Sequence, residues 1–200
     1  MGRVKQYDEE LRRRLVDEAG RLLTAEGIGA VTLRRVASLA DTSTTAVYSL
    51  FGDKDGLVHA MYVEGFTRLG AALRRAARGE ADPLAAVGAV GIAYRRAALR
   101  TPHLYGLMFA APVPTFAPGE EASLIAAAAY EPLVEGVQAC LEAGAMHGGE
   151  AGEIAQYLWG VAHGMVALEL AGHLPGTARE RAAVYERALV ASVAAYLAPA

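Results

Sequence analysis

TLRRVASLADTSTTAVYSLFGDKDGL, residues 32–57, is the stretch whose reading decides the fold. Thr32 is a good N-cap, because its hydroxyl accepts an orphan backbone N–H of a first helical turn. Leu33, Val36, Ala37 and Ala40 then recur at helical spacing, with Arg34, Arg35 and Ser38 off that face. Asp41-Thr42-Ser43 interrupts the pattern. Asp41 tolerates the left-handed backbone that closes such a turn, and Ser43 caps a second helix over 44–51. In that helix Val47, Leu50 and Phe51 face inward, and Thr44, Thr45, Tyr48 and Ser49 face out. Gly52-Asp53 ends it, and Asp53 caps a third helix with Lys54 in its first turn. A cation there opposes the positive end of the helix dipole, so Lys54 is placed for an external anion such as a DNA phosphate. A short, polar, uncharged helix behind a tight turn is what a helix-turn-helix presents to the major groove.

The same run resembles the DNA-binding domain of the tetracycline-repressor (TetR) family, whose Tyr-x-x-Phe-x-x-Lys-x-x-Leu pattern is met by Tyr48, Phe51, Lys54 and Leu57. Two features depart from it. Asp41-Thr42 stands where the family's turn usually carries Gly and a small apolar residue, and Thr44-Thr45 where its recognition helix often has an early basic residue. The resemblance implies a homodimeric transcriptional regulator, a repressor first of all, released from its operator by a small molecule. Thr44, Thr45, Tyr48 and Ser49 would then meet the major groove, while Thr32, Tyr48 and Lys54 hold phosphates and Arg34 reaches a phosphate or a base edge. Phosphate contacts set register and base contacts set sequence. Two recognition helices about 34 Å apart would read a palindromic or near-palindromic duplex.

Working outward, the composition agrees. The chain has 200 residues and is 54% hydrophobic, with Ala, Leu, Arg and Glu dominating the long stretches, so the expected fold is all-α. A net charge of -3 excludes a protein held to nucleic acid by global charge; any basic footprint must be local. The single cysteine, Cys140, rules out an internal disulfide and a cysteine zinc site, and reads as a small core residue. The longest run without Asp, Glu, Lys or Arg, residues 101–119, contains Pro102, Pro112, Pro114 and Pro118 and makes a poor membrane helix. With no secretory signal in the polar first residues, the expected compartment is the cytoplasm, and no cofactor is implied.

About nine helices are expected, TetR-like: a helix-turn-helix domain over 1–52, then a connector helix and a ligand-binding and dimerisation bundle over 53–200. Arg3 and Lys5 precede the first helix, placed at 8–26, as a solvated terminus or an arm along the phosphates. The connector, 53–78, has an apolar side broad enough to touch two cores, and Arg74, Arg75 and Arg78 suit its C-terminal dipole. Asp82-Pro83 and Thr101-Pro102 each open a helix, ending near Arg100 and Phe109. A helix over 120–146 carries Pro132 as a kink or break. Helices over 150–171 and from a Thr177 cap to about Leu197 complete the count.

The helix from Glu150 carries two stripes. Gly160, Gly164, Ala167 and Ala171 leave a face that another helix can approach closely. Tyr185, Leu189, Ser192 and Tyr196 make a matching stripe on the last helix, and pairing with symmetry mates would form a four-helix dimer interface. The opposite stripe holds Trp159 and His163; the segment WGVAHG, residues 159–164, resembles the WHG-type C-terminal region of one branch of these regulators. Tyr94, His103, Tyr105, Met108, Phe109, Tyr130, Trp159, His163 and Met165 are the candidates for an apolar effector cavity, although aromatic and Met residues at helical spacing also suit a plain core. Glu169 and His173 are four apart, but His173 follows Gly172 and falls off the helix, so no metal site is expected. Two other readings stay open: a helical enzyme using the cavity, for which the histidines lack an evident carboxylate partner, and an interaction module that no longer binds DNA.

Overall fold

The computed structural model describes residues 2–109, 113 and 116–197, with side chains from Glu9 onward. Nine α-helices lie in this portion: α1 Gly2–Glu26, α2 Leu33–Leu39, α3 Thr44–Phe51, α4 Lys54–Arg78, α5 Pro83–Arg100, α6 Pro102–Phe109, α7 Glu120–Glu142, α8 Ala151–Leu170 and α9 Ala178–Ala194. A 3-10 turn, Ile28–Ala30, joins α1 to α2, and the one β-bridge among the described residues pairs Met146 with Leu197. The all-α expectation holds, with most boundaries within a residue or two. Three ends are exceptions: α1 starts at Gly2, so Arg3 and Lys5 lie on helical backbone while their side chains fall outside the described set, and α7 and α9 each end three or four residues early.

The caps are the ones the residue types dictate. Thr32 Oγ1 accepts from the Arg35 N–H at 3.3 Å and Ser43 Oγ from Ala46 at 3.1 Å. Asp53 Oδ1 accepts from Gly56 at 2.8 Å, and Asp82 Oδ2 from Ala85 at 2.7 Å. Thr177 and Glu180 close a reciprocal capping box on α9. Gly56 has a second reason to be glycine, since a Cβ there would stand 2.0 Å from the Phe51 carbonyl oxygen.

The described residues pack as two compact units, and the chain crosses between them inside α4, between α5 and α6, and inside α7. One unit holds the described residues up to Thr67 and those from 101 to 126; the other holds 68–100 and 127 onward. This differs in extent from a division at 52 and 53. In the first unit Leu15, Val16 and Ala19 of α1, Val36 of α2, Val47 of α3, Leu57 and Met61 of α4 and Leu104 and Leu107 of α6 share one core. The α6 segment belongs there because Gly20 opens a slot in α1. A Cβ on Gly20 would lie 2.4 Å from the ring of His103, whose Nε2 is 3.5 Å from Asp17.

In the second unit α7 runs without a break through Pro132 and stops at Glu142, earlier than expected, where Gly144 takes φ 69° and the Ala145 and Met146 N–H groups turn back to the Cys140 carbonyl. A proline inside a helix removes the bond to the carbonyl four residues before it, here that of Ala128. Arg74 Nη1 donates to that oxygen at 3.3 Å. The dipole alone therefore does not account for Arg74. By length and composition α7 is also the one helix among the described residues that could cross a membrane, at mean hydropathy 1.2, though it carries Pro132 and acidic residues at Glu131 and Glu135.

Candidate functional site

The first candidate surface is the outer face of α3. Asp41 adopts φ 50°, and the Thr42 N–H reaches the Ala37 carbonyl while the Asp41 N–H reaches that of Ser38, the paired bonds of a Schellman turn. This reversal buries Val47 and Phe51 and leaves Thr44, Thr45, Tyr48 and Ser49 exposed, Tyr48 by 58%. Thr44 and Thr45 occupy the first turn, and Tyr48 and Ser49 stand one turn further on the same face, with no charged residue anywhere in the helix.

The cations around this face are largely engaged. Arg35 makes a bidentate pair with Glu26, at 2.8 and 2.5 Å, which lowers the pKa of that carboxyl and raises that of the guanidinium through the hydrogen bonds. Arg12 spans to Glu64 at 3.4 Å and lies over the Phe51 ring. Arg34 is exposed on α2. Lys54 Nζ donates to the Ile28 carbonyl at 2.5 Å, tying the start of α4 to the 3-10 turn. That uses one of three ammonium donors and leaves the others for a phosphate.

The second candidate site lies in the other unit. Trp159 Nε1 donates to Tyr94 Oη at 3.3 Å, and Tyr94 Oη is 3.0 Å from His163 Nδ1. An indole N–H can only donate, so Tyr94 Oη accepts from Trp159, and the imidazole tautomer decides which way the Tyr94–His163 bond runs. Burial lowers the His163 pKa and so favours the neutral ring. Tyr130 meets Trp159 in a tilted ring contact at 5.4 Å, and its hydroxyl is buried without a hydrogen-bond partner among the described residues. The arrangement is aromatic, uncharged and rich in directed polar atoms, with one of them unspent. Below it Glu169 is held by Arg95 at 2.7 Å through two bonds and by Arg181 at 3.2 Å, which pulls its pKa down.

Eight of the nine cavity candidates thus fall into two groups. Tyr94, Tyr130, Trp159 and His163 meet in the second unit. Tyr105, Met108, Phe109 and His103 sit on α6 in the first, where Phe109 packs against Phe66 at 5.5 Å and Tyr105 at 4.8 Å, and Met108 fills the space over Gly65. Met165 is two positions past His163, about 200° round the helix, and is therefore off the face that carries Trp159 and His163. Tyr62 and Phe66, expected only as part of the connector's apolar side, and Phe116 extend the α6 group by ring contacts of 4.9 and 5.4 Å. The Arg95–Glu169–Arg181 cluster was not expected, because its members come from three helices with no spacing to announce them.

Residues 15–61 match the model of bacterial regulatory proteins of the tetR family, and residues 87–192, more than half of the chain, match that of the tetracyclin repressor-like C-terminal domain. The chain belongs to the TetR family. It is a TetR family transcriptional regulator with a DNA-binding N-terminal domain. Similar solved structures cover nearly all of it. A protein of unknown function from Rhodococcus sp. RHA1 is 29% identical, with 94% of this chain and 96% of that one aligned at a TM-score of 0.79. The TetR family transcriptional regulator PfmR from Thermus thermophilus shares 18% identity over 90% and 97% of the two chains, TM-score 0.74. A TetR family transcription regulator from Marinobacter aquaeolei VT8 shares 17% over 98% and 100%, TM-score 0.76. The last two support the fold alone. No curated protein matches the chain.

The two stripes expected at a dimer interface lie in different settings. On α8 a Cβ at Gly160 or Gly164 would meet nothing within 4 Å, and Tyr157 and Leu168 beside them are 47% and 45% exposed, an open face as expected. On α9 the expected stripe is turned inward. Tyr185 is buried and donates to the Gly91 carbonyl at 2.7 Å, Leu189 packs on Gly91, Ser192 is buried, and the Tyr196 ring meets Tyr157 at 5.7 Å. Gly91 admits this approach, and the phenol takes the backbone acceptor that it exposes. The surface left on α9 is instead Val184, 43% exposed, Val190, 72% exposed, and Ala191.

Proposed function

We propose that this TetR regulator is a homodimeric, operator-binding repressor acting in the cytoplasm, by binding rather than catalysis, and released by a hydrophobic or amphipathic small molecule. Thr44, Thr45, Tyr48 and Ser49 read the major groove; Thr32, Tyr48 and Lys54 hold phosphates, and Arg34 serves a phosphate or base edge. The dimer forms through the open α8 face with Val184 and Val190 of α9, and its operator is palindromic or nearly so. Residues 1–52 act as the reading domain and 53–200 as connector, effector site and interface. The effector sits against Tyr94, Tyr130, Trp159 and His163, and the unspent buried hydroxyl of Tyr130 supports that assignment. An effector that binds the non-reading arrangement better lowers DNA affinity, and DNA weakens the effector by the same factor.

The observation that carries the DNA assignment is the exposed, hydroxyl-faced α3 held out by a Schellman turn. The test is a mobility-shift assay with the promoter-proximal DNA beside the protein's own gene. Tyr48→Ala and Lys54→Ala together should abolish the shift while circular dichroism and the dimer peak in gel filtration stay unchanged. Undiminished binding by the double variant would sink it.

A further inference from the structure

The bases that α3 reads follow from the chemistry of its exposed face, given the DNA-binding assignment above. In the major groove guanine is picked out by Arg or Lys on O6 and N7, adenine by Asn or Gln on N6 and N7, and cytosine by Glu or Asp on N4. The helix TTAVYSLF contains none of these six residue types. What it presents is a methyl and a hydroxyl at Thr44, the same at Thr45, a phenol ring at Tyr48 and a hydroxyl at Ser49, on one face at i, i+1, i+4 and i+5. A hydroxyl can donate or accept and therefore discriminates little, whereas a methyl or ring edge contacts only one feature that a base owns exclusively, the C5 methyl of thymine.

The neighbouring cations do not restore guanine reading at this face. Arg35 is clamped bidentately by Glu26, and Lys54 is bonded to the Ile28 carbonyl. Arg34 is exposed but belongs to α2, the helix that crosses the backbone in this motif, so it serves the margin of the site.

We infer that the half-site segment beneath α3 is A·T-weighted and is recognised through thymine methyl groups seated on the Thr44 and Thr45 methyls and the Tyr48 ring. The inference predicts a chemical signature that protein–phosphate contacts cannot produce. Deoxyuridine differs from thymidine by that methyl alone and keeps its pairing and charge.

The test uses the full chain. Its preferred sites are first selected from a random duplex library, and each thymine of the selected site is then replaced singly by deoxyuridine. Two or more thymines per half-site should each lose about fourfold in affinity on losing the methyl, the factor that follows from burying one such group. Thr44→Ser and Thr45→Ser, which keep the hydroxyl and remove the methyl, should each erase the uracil penalty at one position. A selected site with G·C pairs under α3, or uracil tolerated everywhere, overturns the inference while leaving DNA binding intact. A library that yields no enriched sequence overturns the DNA assignment and this inference with it.

Discussion

Tyr130→Phe should make the protein more stable and less responsive. The substitution keeps the ring that packs on Trp159 at 5.4 Å and removes only a hydroxyl that is buried and makes no hydrogen bond among the described residues. A buried polar group left unsatisfied costs about 1–3 kcal/mol, and no bond is lost with this one. The variant should therefore gain about 1–2 kcal/mol, allowing for some relaxation around the smaller side chain. For a chain of this length that is a rise of about 2–8 °C in the melting midpoint. Urea unfolding at fixed protein concentration measures it, with the slope held in common to show that only stability has changed.

The pH dependence gives that prediction a second reading. Burial raises the Tyr130 phenol above its ordinary pKa, so the unfolded chain releases this proton before the native one does. Its contribution is intact below about pH 10 and is lost as pH rises past the unfolded value. The advantage of Tyr130→Phe should thus widen above about pH 10. Tyr62 and Tyr185, also raised by burial, act equally in both proteins and cancel. A variant that is less stable than the parent, or a gap that narrows in alkali, would refute the claim that this hydroxyl is unspent. It would also remove the main support for Tyr130 as an effector anchor.

Three further outcomes follow from other parts of the structure. Asp41→Gly should stabilise the chain by about 0.5–1 kcal/mol, because φ 50° strains a residue with a Cβ, and operator binding should survive; a loss of stability in thermal melts would contradict the Schellman assignment. Glu169→Gln should cost about 3–5 kcal/mol, since it strips the charge partner from Arg95, whose side chain is 13% exposed against 6% for Glu169. The depressed pKa of Glu169 means that the parent's advantage is complete above the unfolded carboxyl value and fades as pH falls through the folded one, so acid titration of both proteins should bring their midpoints together. Arg74→Ala should cost about 0.5–1 kcal/mol in the parent and less in a Pro132→Ala background, where the Ala128 carbonyl regains a helical N–H; equal costs in a double-mutant cycle would break that link.

The helix-turn-helix was legible almost to the residue because its determinants are local. Thr32, Ser43 and Asp53 each cap the helix that follows within three residues, and Asp41 sits where the pattern left room for a left-handed residue. The start of α1 was not, since residues 2–7 lack the apolar recurrence that marks a helix and extend one that already exists. On α9 the periodicity identified the right stripe but not its partner. Tyr185, Leu189 and Ser192 are apolar enough for an interface, and only the bond to the Gly91 carbonyl settles that they face their own subunit. The cavity candidates suffered similarly, because sequence ranks aromatic residues by type, while α6 groups with α1 through a glycine slot at Gly20.

The charge pattern bears on how such a regulator can be switched. With a net charge of -3, and with Arg12, Arg21 and Arg35 each paired to a carboxylate, the described part of the reading unit offers few cations to phosphates. On the proposed DNA contacts, counterion release would come from a few local cations, and the affinity would rest largely on shaped contacts around α3 and Lys54. An effector need then supply only a coupling of about 1–3 kcal/mol, the usual allosteric range, to empty the operator. At the proposed effector site, a neutral ligand that hydrogen-bonds the Tyr130 hydroxyl and fills the aromatic surface beside the Trp159–Tyr94–His163 chain would supply that much without a charge of its own. On this reasoning the sparse basicity of the reading unit and the uncharged character of the sensing site belong to one design, in which weak grip on DNA is what allows a weakly polar signal to release it.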